Sequence, residues 1–370
     1  MSDIFSRKGR PRLCFVGAMG GRQGQRVTSQ GQIISDLFEA AGYTATSTSA
    51  KIRRYQRLLD IVWTLIRKKR AIDVTVVEVY SGLGFVLVDV ASWLSKLLDY
   101  KLVLWLHGGA LPAFIKRHPG WTCRVLSRAD VIVAPSAYLA DAVKSRGFHA
   151  SVIPNVIDLS CYEYRIRKKL RPQLLWMRSF HATWNPDMAV RVFARLHKAM
   201  PEATLVMAGK DKGLECETRQ KTETLRLDGC VRFAGFLDQN GKMQEGNQAD
   251  IFINTNHIDN APVAVLEACA MGLPVVSTNV GGIPNLLTDG ETALLVPDDD
   301  DCAMADAIRS LLNDPGLAAR LSAQGRLLAE RSSWEKVRPQ WERIFSHMMK
   351  PEFVPNRKRS DQGTAQQAEP

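Results

Sequence analysis

The chain is short of acidic residues: 38 Asp and Glu stand against 49 Lys and Arg, leaving a formal net charge of +11. Such an excess points to nucleic acid or to an anionic membrane surface, and the distribution of the cations decides between them. Long apolar runs are also missing. No stretch reaches 18 consecutive apolar residues, which excludes a conventional membrane-spanning helix, and the opening MSDIFSRKGRPR lacks the apolar core of a signal peptide, so a cytoplasmic protein is expected. Cysteine is sparse and unpaired in pattern. Cys14, Cys123, Cys161, Cys216, Cys230, Cys269 and Cys302 are odd in number, widely scattered and without metal-ligand spacing, and are expected as reduced packing residues in mostly apolar surroundings. A dinucleotide fingerprint is absent as well, because the glycines at 17, 20, 21 and 24 do not give GxGxxG.

What is present is a chain of 370 residues, 45% apolar, which is too long for one ordinary core and predicts two domains. Strand-like and helix-like segments alternate, the pattern of an α/β protein with helix-covered parallel sheets. Strands are expected at 13–17, 73–79, 102–106, 131–134 and 151–153, then at 174–177, 204–208, 231–233, 251–254, 275–278 and 293–296. The clearest helices are expected at 32–41 and 85–98. The charged stretch PNVIDLSCYEYRIRKKLRP separates the halves, giving a first domain over 1–156, a linker over 157–172 and a second domain over 173–332. Trp334, Val337, Trp341, Ile344 and Phe345 predict a terminal helix over 333–349, and the polar residues 350–370 read as a disordered tail.

The most informative segment is IDNAPVAVLEACAMGLPVVSTNVGGIP, Ile258 to Pro284. Two apolar strands each run into a loop and a helix start, a layout suited to a phosphate. Pro262 stands where a first helical position is expected, and the amides of Val263 and Ala264 then face an anion with the helix dipole behind them. Glu267, four residues after Val263, lies on the same face, where a carboxylate accepts two hydrogen bonds from a vicinal diol such as a ribose. Gly281 and Gly282 form the second turn and are expected to let a ligand approach the backbone.

This segment resembles the acidic-x7-Glu signature of retaining glycosyltransferases of family 4, through Asp259, Glu267 and the residues LEA-x-A-x-G-x-PVV-x-T-x-x-GG-x-P. The family usually has Glu at the first acidic position. The resemblance implies the GT-B fold, two Rossmann-like domains with parallel sheets facing across a cleft, and a nucleotide-diphosphate sugar, UDP- or GDP-linked, as co-substrate. It implies that Asp259 contacts the donor sugar and Glu267 the ribose, and that the amides of Val263, Ala264, Gly281 and Gly282 serve the diphosphate. Arg178, in LLWMRSFHATWNP, matches the family's diphosphate arginine; the usual lysine has no counterpart, with Thr183 or Trp184 in its neighbourhood, so leaving-group stabilisation is expected to lean on helix N-termini or on another cation, for example Lys210 or Lys212. His107 matches the cleft histidine that touches the donor sugar, Gly20 and Gly21 the first loop, with Arg22 and Arg26 beside them. Gly209 and Lys210 are expected near the base, with Phe236. No metal and no other cofactor are expected, and Asp298 to Asp301 read as a helix-capping loop.

The densest positive cluster, Lys51 to Arg70, carries eight basic residues against Asp60 alone, on an amphipathic pattern. Its apolar positions from 58 to 66 are expected to pack on the sheet while the charges attract an anionic membrane. Nucleic acid is not expected, since no recognition motif accompanies the charge. The function expected is transfer of a sugar to a glycan, lipid-linked or other hydroxyl acceptor in cell-envelope or polysaccharide biosynthesis. A nucleotide-sugar-binding protein of the same fold without transfer, or a nucleotide-sugar epimerase, is the alternative.

Overall fold

The structure, a computed structural model, describes residues 9–19, 28–167, 169–351 and 353. They form two units, one running to Ile153 and resuming at Pro339, the other spanning Pro154–Arg338. The proposed tail lies outside the described residues from 354 onward.

In the first unit β1 (Leu13–Val16), β2 (Ala45–Thr48), β3 (Val74–Val79), β4 (Lys101–Leu106), β5 (Val131–Ala134) and β6 (Ser151–Val152) form a parallel sheet in the order β2-β1-β3-β4-β5-β6. The interior strands are apolar on both faces because helices cover both sides. β3 is buried at every position, which makes Glu78, inside VTVVEV, an anomaly that chemistry has to explain. Five of the six strands fall where the apolar runs place them, with ends moved by a residue. β2 is not among the expected strands: ATST is a polar edge strand, held by its pairing with β1 rather than by an apolar signal. The helix Trp334–Met348 joins this unit from Pro339 onward, where Trp341 packs edge-on against Trp105 with ring centroids 5.0 Å apart and Tyr43 donates to Glu342 at 2.8 Å.

In the second unit β7 (Gln173–Met177), β8 (Thr204–Ala208), β9 (Val231–Gly235), β10 (Ile251–Asn254), β11 (Val275–Thr278) and β12 (Leu294–Val296) form a parallel sheet in the order β12-β11-β10-β7-β8-β9. The order runs outward in both directions from β7 and β10. Their junction is therefore the topological switch point, where open α/β sheets leave a crevice at the carboxyl ends of the strands.

Three expectations need correction. The stretch 157–172 is not a free linker: Ile157 bridges to Ser333, Arg165 and Arg171 pair with Asp250, and buried Arg167 donates to the carbonyls of Ala249 and Met271. These three arginines are engaged by the second unit, which a reading by hydropathy does not register. The apolar positions of the basic helix Arg54–Arg67 divide. Ile61 and Leu65 are buried and Leu58 and Val62 half-buried, whereas Leu59 and Ile66 are exposed together with Tyr55 and Trp63. Among the cysteines, Cys14 and Cys269 are buried packing residues as expected, but Cys161, Cys216 and Cys302 are exposed thiols.

Candidate active site

Arg178 follows β7 directly, and Asp259 lies in the loop after β10, so the switch point brings them together. The Arg178 Nη2 pairs with Asp259 Oδ2, and its Nε lies 3.4 Å from Asn254 Oδ1. Trp184 stacks on the guanidinium at 4.6 Å, a cation–π contact that fixes its plane. The carboxylate is held from the other side too. Asn256 Nδ2 donates to Asp259 Oδ2 at 2.7 Å and the Asn260 amide to Oδ1 at 2.7 Å. Asn254, Thr255 and Asn256 are fully buried, and Asn254 is braced by Ser277 on β11 at 2.9 Å. These buried hydrogen bonds restrict the side chains to one geometry, in which an arginine and an acid are aimed at each other, although the Asn256 Oδ1 itself has no partner among the described residues.

The next helix is Val263–Ala270, with Pro262 as its N-cap rather than its first helical residue. The first amides with a partner are those of Val265 and Leu266, both on the Pro262 carbonyl; Val263 and Ala264 donate to no acceptor among the described residues. Their orientation follows from the helix start, where such donors favour an anion. One turn on, Glu267 is buried, and its Oε1 accepts from Lys242 Nζ at 2.6 Å and from Tyr162 Oη at 2.9 Å. Burial, reinforced by the Glu267 charge, pushes the Tyr162 phenol well above its ordinary range, so it acts as a hydrogen-bond donor.

The glycines at 281 and 282 let two loops approach closely, and one of the two expected amides is committed there. A Cβ at Gly281 would come within 2.2 Å of the Asp259 carbonyl oxygen, and one at Gly282 within 2.3 Å of that of Asn260. The Gly282 amide donates to the Asp259 carbonyl at 2.8 Å, so it is not free for a diphosphate. These residues clamp one loop onto the other and thereby fix Asp259. Gly209 is comparable: its Cβ would strike the Arg178 carbonyl at 1.8 Å. Lys210 and Lys212 are exposed, and a further cation, Lys242, pairs with Glu267. The acidic run behaves as expected, with Asp300 capping the helix Asp301–Asn313 through the Ala303 amide at 2.8 Å.

In the first unit His107 follows β4 and is buried. Its ring stacks on Tyr80 at 5.1 Å and touches Trp105 at 4.5 Å, and burial pushes its imidazolium down to about 3, so the ring is neutral. Its Nε2 lies 3.8 Å from Glu78 Oε1. Glu78 sits at the β1/β3 switch point of this sheet, accepts from the Gly31 amide at 2.8 Å, and is pushed up to about 7 by burial. Gly20, Gly21, Arg22 and Arg26 lie outside the described residues. Sequence reasoning missed Tyr162, Lys242, Asn256 and Glu78. Two carried a readable signal: Glu78 is a carboxylate inside an apolar strand, and Lys242 is the one cation in the helix Gln239–Gln248.

Comparison with known proteins sets this geometry in a family. The profile described as "Glycosyltransferase Family 4" matches residues 36–160, and that described as "Glycosyl transferases group 1" matches residues 171–314. The chain belongs to glycosyltransferase family 4. A glycogen synthase of Mycobacterium tuberculosis is 26% identical over 265 residues, covering 66% of this chain and 62% of the synthase, so the match spans less than two thirds of that relative. Sucrose-phosphate synthase from Thermosynechococcus elongatus superposes with a TM-score of 0.76 at 16% identity over 92% of this chain and 99% of its own. Anabaena HepE in complex with UDP-glucose gives 0.72 at 16% identity over 91% and 100%. These structures establish the GT-B fold of this chain, with its two Rossmann-like domains. No helix among the described residues is long and apolar enough to cross a membrane.

Proposed function

We propose that the chain is a retaining, metal-independent hexosyltransferase that moves a sugar from a UDP- or GDP-linked donor to a glycan or lipid-linked hydroxyl in cell-envelope or polysaccharide biosynthesis. The observation that carries this reading is the β7/β10 switch point: Arg178 against Asp259, two uncommitted amides at 263 and 264, and Glu267 one turn beyond. Glu267 holds the ribose hydroxyls through the oxygen that Lys242 and Tyr162 leave unclaimed. The diphosphate lies at the helix start and competes with Asp259 for the Arg178 guanidinium. Released from that pair, Asp259 accepts from the donor sugar, and Arg178 with the two amides stabilises the charge that develops on the leaving phosphate.

Transfer breaks the bond between the anomeric carbon and the β-phosphate oxygen. The acceptor oxygen bonds to that carbon on the same face, and its proton passes to the departing phosphate. Arg178 and the amides supply positive charge to the diphosphate, which is the ground for expecting no metal requirement. His107, neutral at physiological pH, offers a hydrogen bond to the sugar without adding charge. The basic run Lys51 to Arg70 supports peripheral residence on the inner face of an anionic membrane.

The test is incubation with UDP- and GDP-sugars, with and without EDTA and membrane extract, reading donor loss and the anomeric configuration of the product by NMR. Retention and insensitivity to EDTA are expected. Trp184 near the lysine position favours the second reading, donor binding without transfer. Thermal stabilisation by nucleotide with no donor consumed under any condition selects that reading, and no stabilisation at all defeats both.

A further inference from the structure

The connections from β2 to β3 and from β3 to β4 both advance the same way along the first sheet, so right-handed crossovers put the helices Arg54–Arg67 and Phe85–Leu97 on the same face. The two helices pack side by side. Each carries a second apolar stripe that the core does not use. On the first helix Tyr55, Leu59, Trp63 and Ile66 recur every three or four residues, with Leu59 66% and Trp63 58% exposed, while Ile61 and Leu65 face inward. On the second, Val86, Trp93 and Leu97 line up along the side away from buried Val88, Ala91 and Ser95, with Trp93 54% and Leu97 63% exposed. Spacings of three, four and seven keep each set on one helical face.

We infer that these two stripes form one docking surface, inserted into the headgroup–acyl boundary of a bilayer containing anionic lipid. Exposed aromatics with aliphatic neighbours on a helix of low net hydropathy are the composition of an interfacial helix. Charge complementarity selects the lipid. The first helix and its flanks carry Arg53, Arg54, Arg67, Lys68, Lys69 and Arg70 with Asp60 as the one acid between Lys51 and Arg70. The cations of the second face are already matched, Lys96 by Asp130 and Arg124 and Arg128 by Asp89. Attraction is thus concentrated on one helix, whereas the apolar anchor extends over both. Arg67 lies 4.7 Å over the Trp63 ring, so indole and guanidinium reach the interface together. The surface deepens the lipid-linked reading of the acceptor and rests on it only for its purpose, not for its existence.

The test is co-sedimentation of the full chain with phosphatidylcholine vesicles, with and without phosphatidylglycerol, alongside hydrolysis of a soluble nucleotide sugar without vesicles. Binding is expected to anionic vesicles only and to weaken with salt. Combined Trp63→Ala and Trp93→Ala substitution should lower the partition coefficient roughly tenfold or more, and Trp93→Ala alone should lower it measurably although no cation is touched. Both variants should keep donor hydrolysis unchanged, which separates failure of the surface from failure of the transferase reading. No binding, equal binding to neutral vesicles, or indifference to Trp93→Ala overturns the proposal. So does a concentration-dependent dimer that the two substitutions abolish, since the occupant would then be a second copy of the chain.

Discussion

Glu78→Gln isolates the carboxyl that burial has perturbed most clearly. In the folded chain this acid is pushed up to about 7 against an ordinary 4.5, because no water reaches it, and the Gly31 amide, the Ser29 hydroxyl and the distant Arg57 only partly offset the desolvation. A raised acid favours the native state while protonated. Its contribution is complete below 4.5 and is lost as pH rises through about 7, and at about 1.4 kcal/mol per pH unit that loss comes to about 3 kcal/mol. His107 acts with the opposite sign, since its imidazolium is pushed down to about 3 from 6.5. The neutral ring contributes stability above 6.5 that is lost as pH falls toward 3. Between about 4.5 and 6.5 the two slopes oppose each other, so the native chain should show a muted dependence from this pair. Glutamine removes one of them. Equilibrium urea unfolding from pH 4 to 8 should show the stability of the variant relative to the native chain rising by about 3 kcal/mol with increasing pH. Any constant cost of the substitution cancels in that difference. Parallel profiles across the whole range would mean that Glu78 titrates as an ordinary carboxyl, and the account of its burial would be wrong.

Other expectations follow from both units. Glu267→Ala should abolish nucleotide binding by calorimetry, whereas His107→Ala should spare binding and reduce turnover; equal, negligible effects from both would misplace the site. Lys242→Ala removes a charged partner of Glu267 and should weaken nucleotide about tenfold, the equivalent of one charge-assisted hydrogen bond; an unchanged Kd would free Glu267 from the role given to it. Gly282→Ala drives a methyl into the Asn260 carbonyl and should cost about 3 kcal/mol in thermal or urea unfolding, with nucleotide binding lost alongside; a neutral result would deny that the two loops are clamped. Arg178→Lys keeps the charge but not the planar fork stacked on Trp184, so turnover should fall more than donor affinity, and equal losses in both would argue against a role in the departing group.

Much of this was legible in the sequence because parallel strands buried on both faces read as largely apolar runs, as β5 and residues 102–106 of β4 do. β2 escaped because an edge strand with Thr and Ser carries no such run. The proposed catalytic residues were legible singly but not as a pair: Arg178 and Asp259 are 81 positions apart, and only the strand order places them at one switch point. Gly281 and Gly282 were found, but not the close approach of the two loops that they permit. A fixed glycine signals that a backbone comes close, and sequence does not tell whether that backbone belongs to a ligand or to a neighbouring loop. The partners of Glu267 stayed hidden because Tyr162 lies in a stretch that charge marks as a linker, although its arginines are spent on Asp250 and on buried carbonyls.

The two sheets also explain why the donor is assigned to one unit and not the other. Both are doubly wound, and both end at a switch point with a helix start nearby, which in general makes either one an anion site. In the first unit that place is taken by the chain itself. Glu78 accepts from the Gly31 amide at the start of the helix Gln30–Ala40, and a Cβ at Gly17 would come within 2.1 Å of its other oxygen. A phosphate there would have to displace a buried carboxyl and would meet its charge once ionised. In the second unit the corresponding carboxylate, Asp259, is neutralised by Arg178 and turned onto the Asn260 amide, so the amides of Val263 and Ala264 keep no internal acceptor. Charge therefore favours the diphosphate in the second unit and a neutral hydroxyl compound in the first, where His107 is held uncharged. That division supports the proposed assignment of donor and acceptor without appeal to the loop at Gly20 and Gly21.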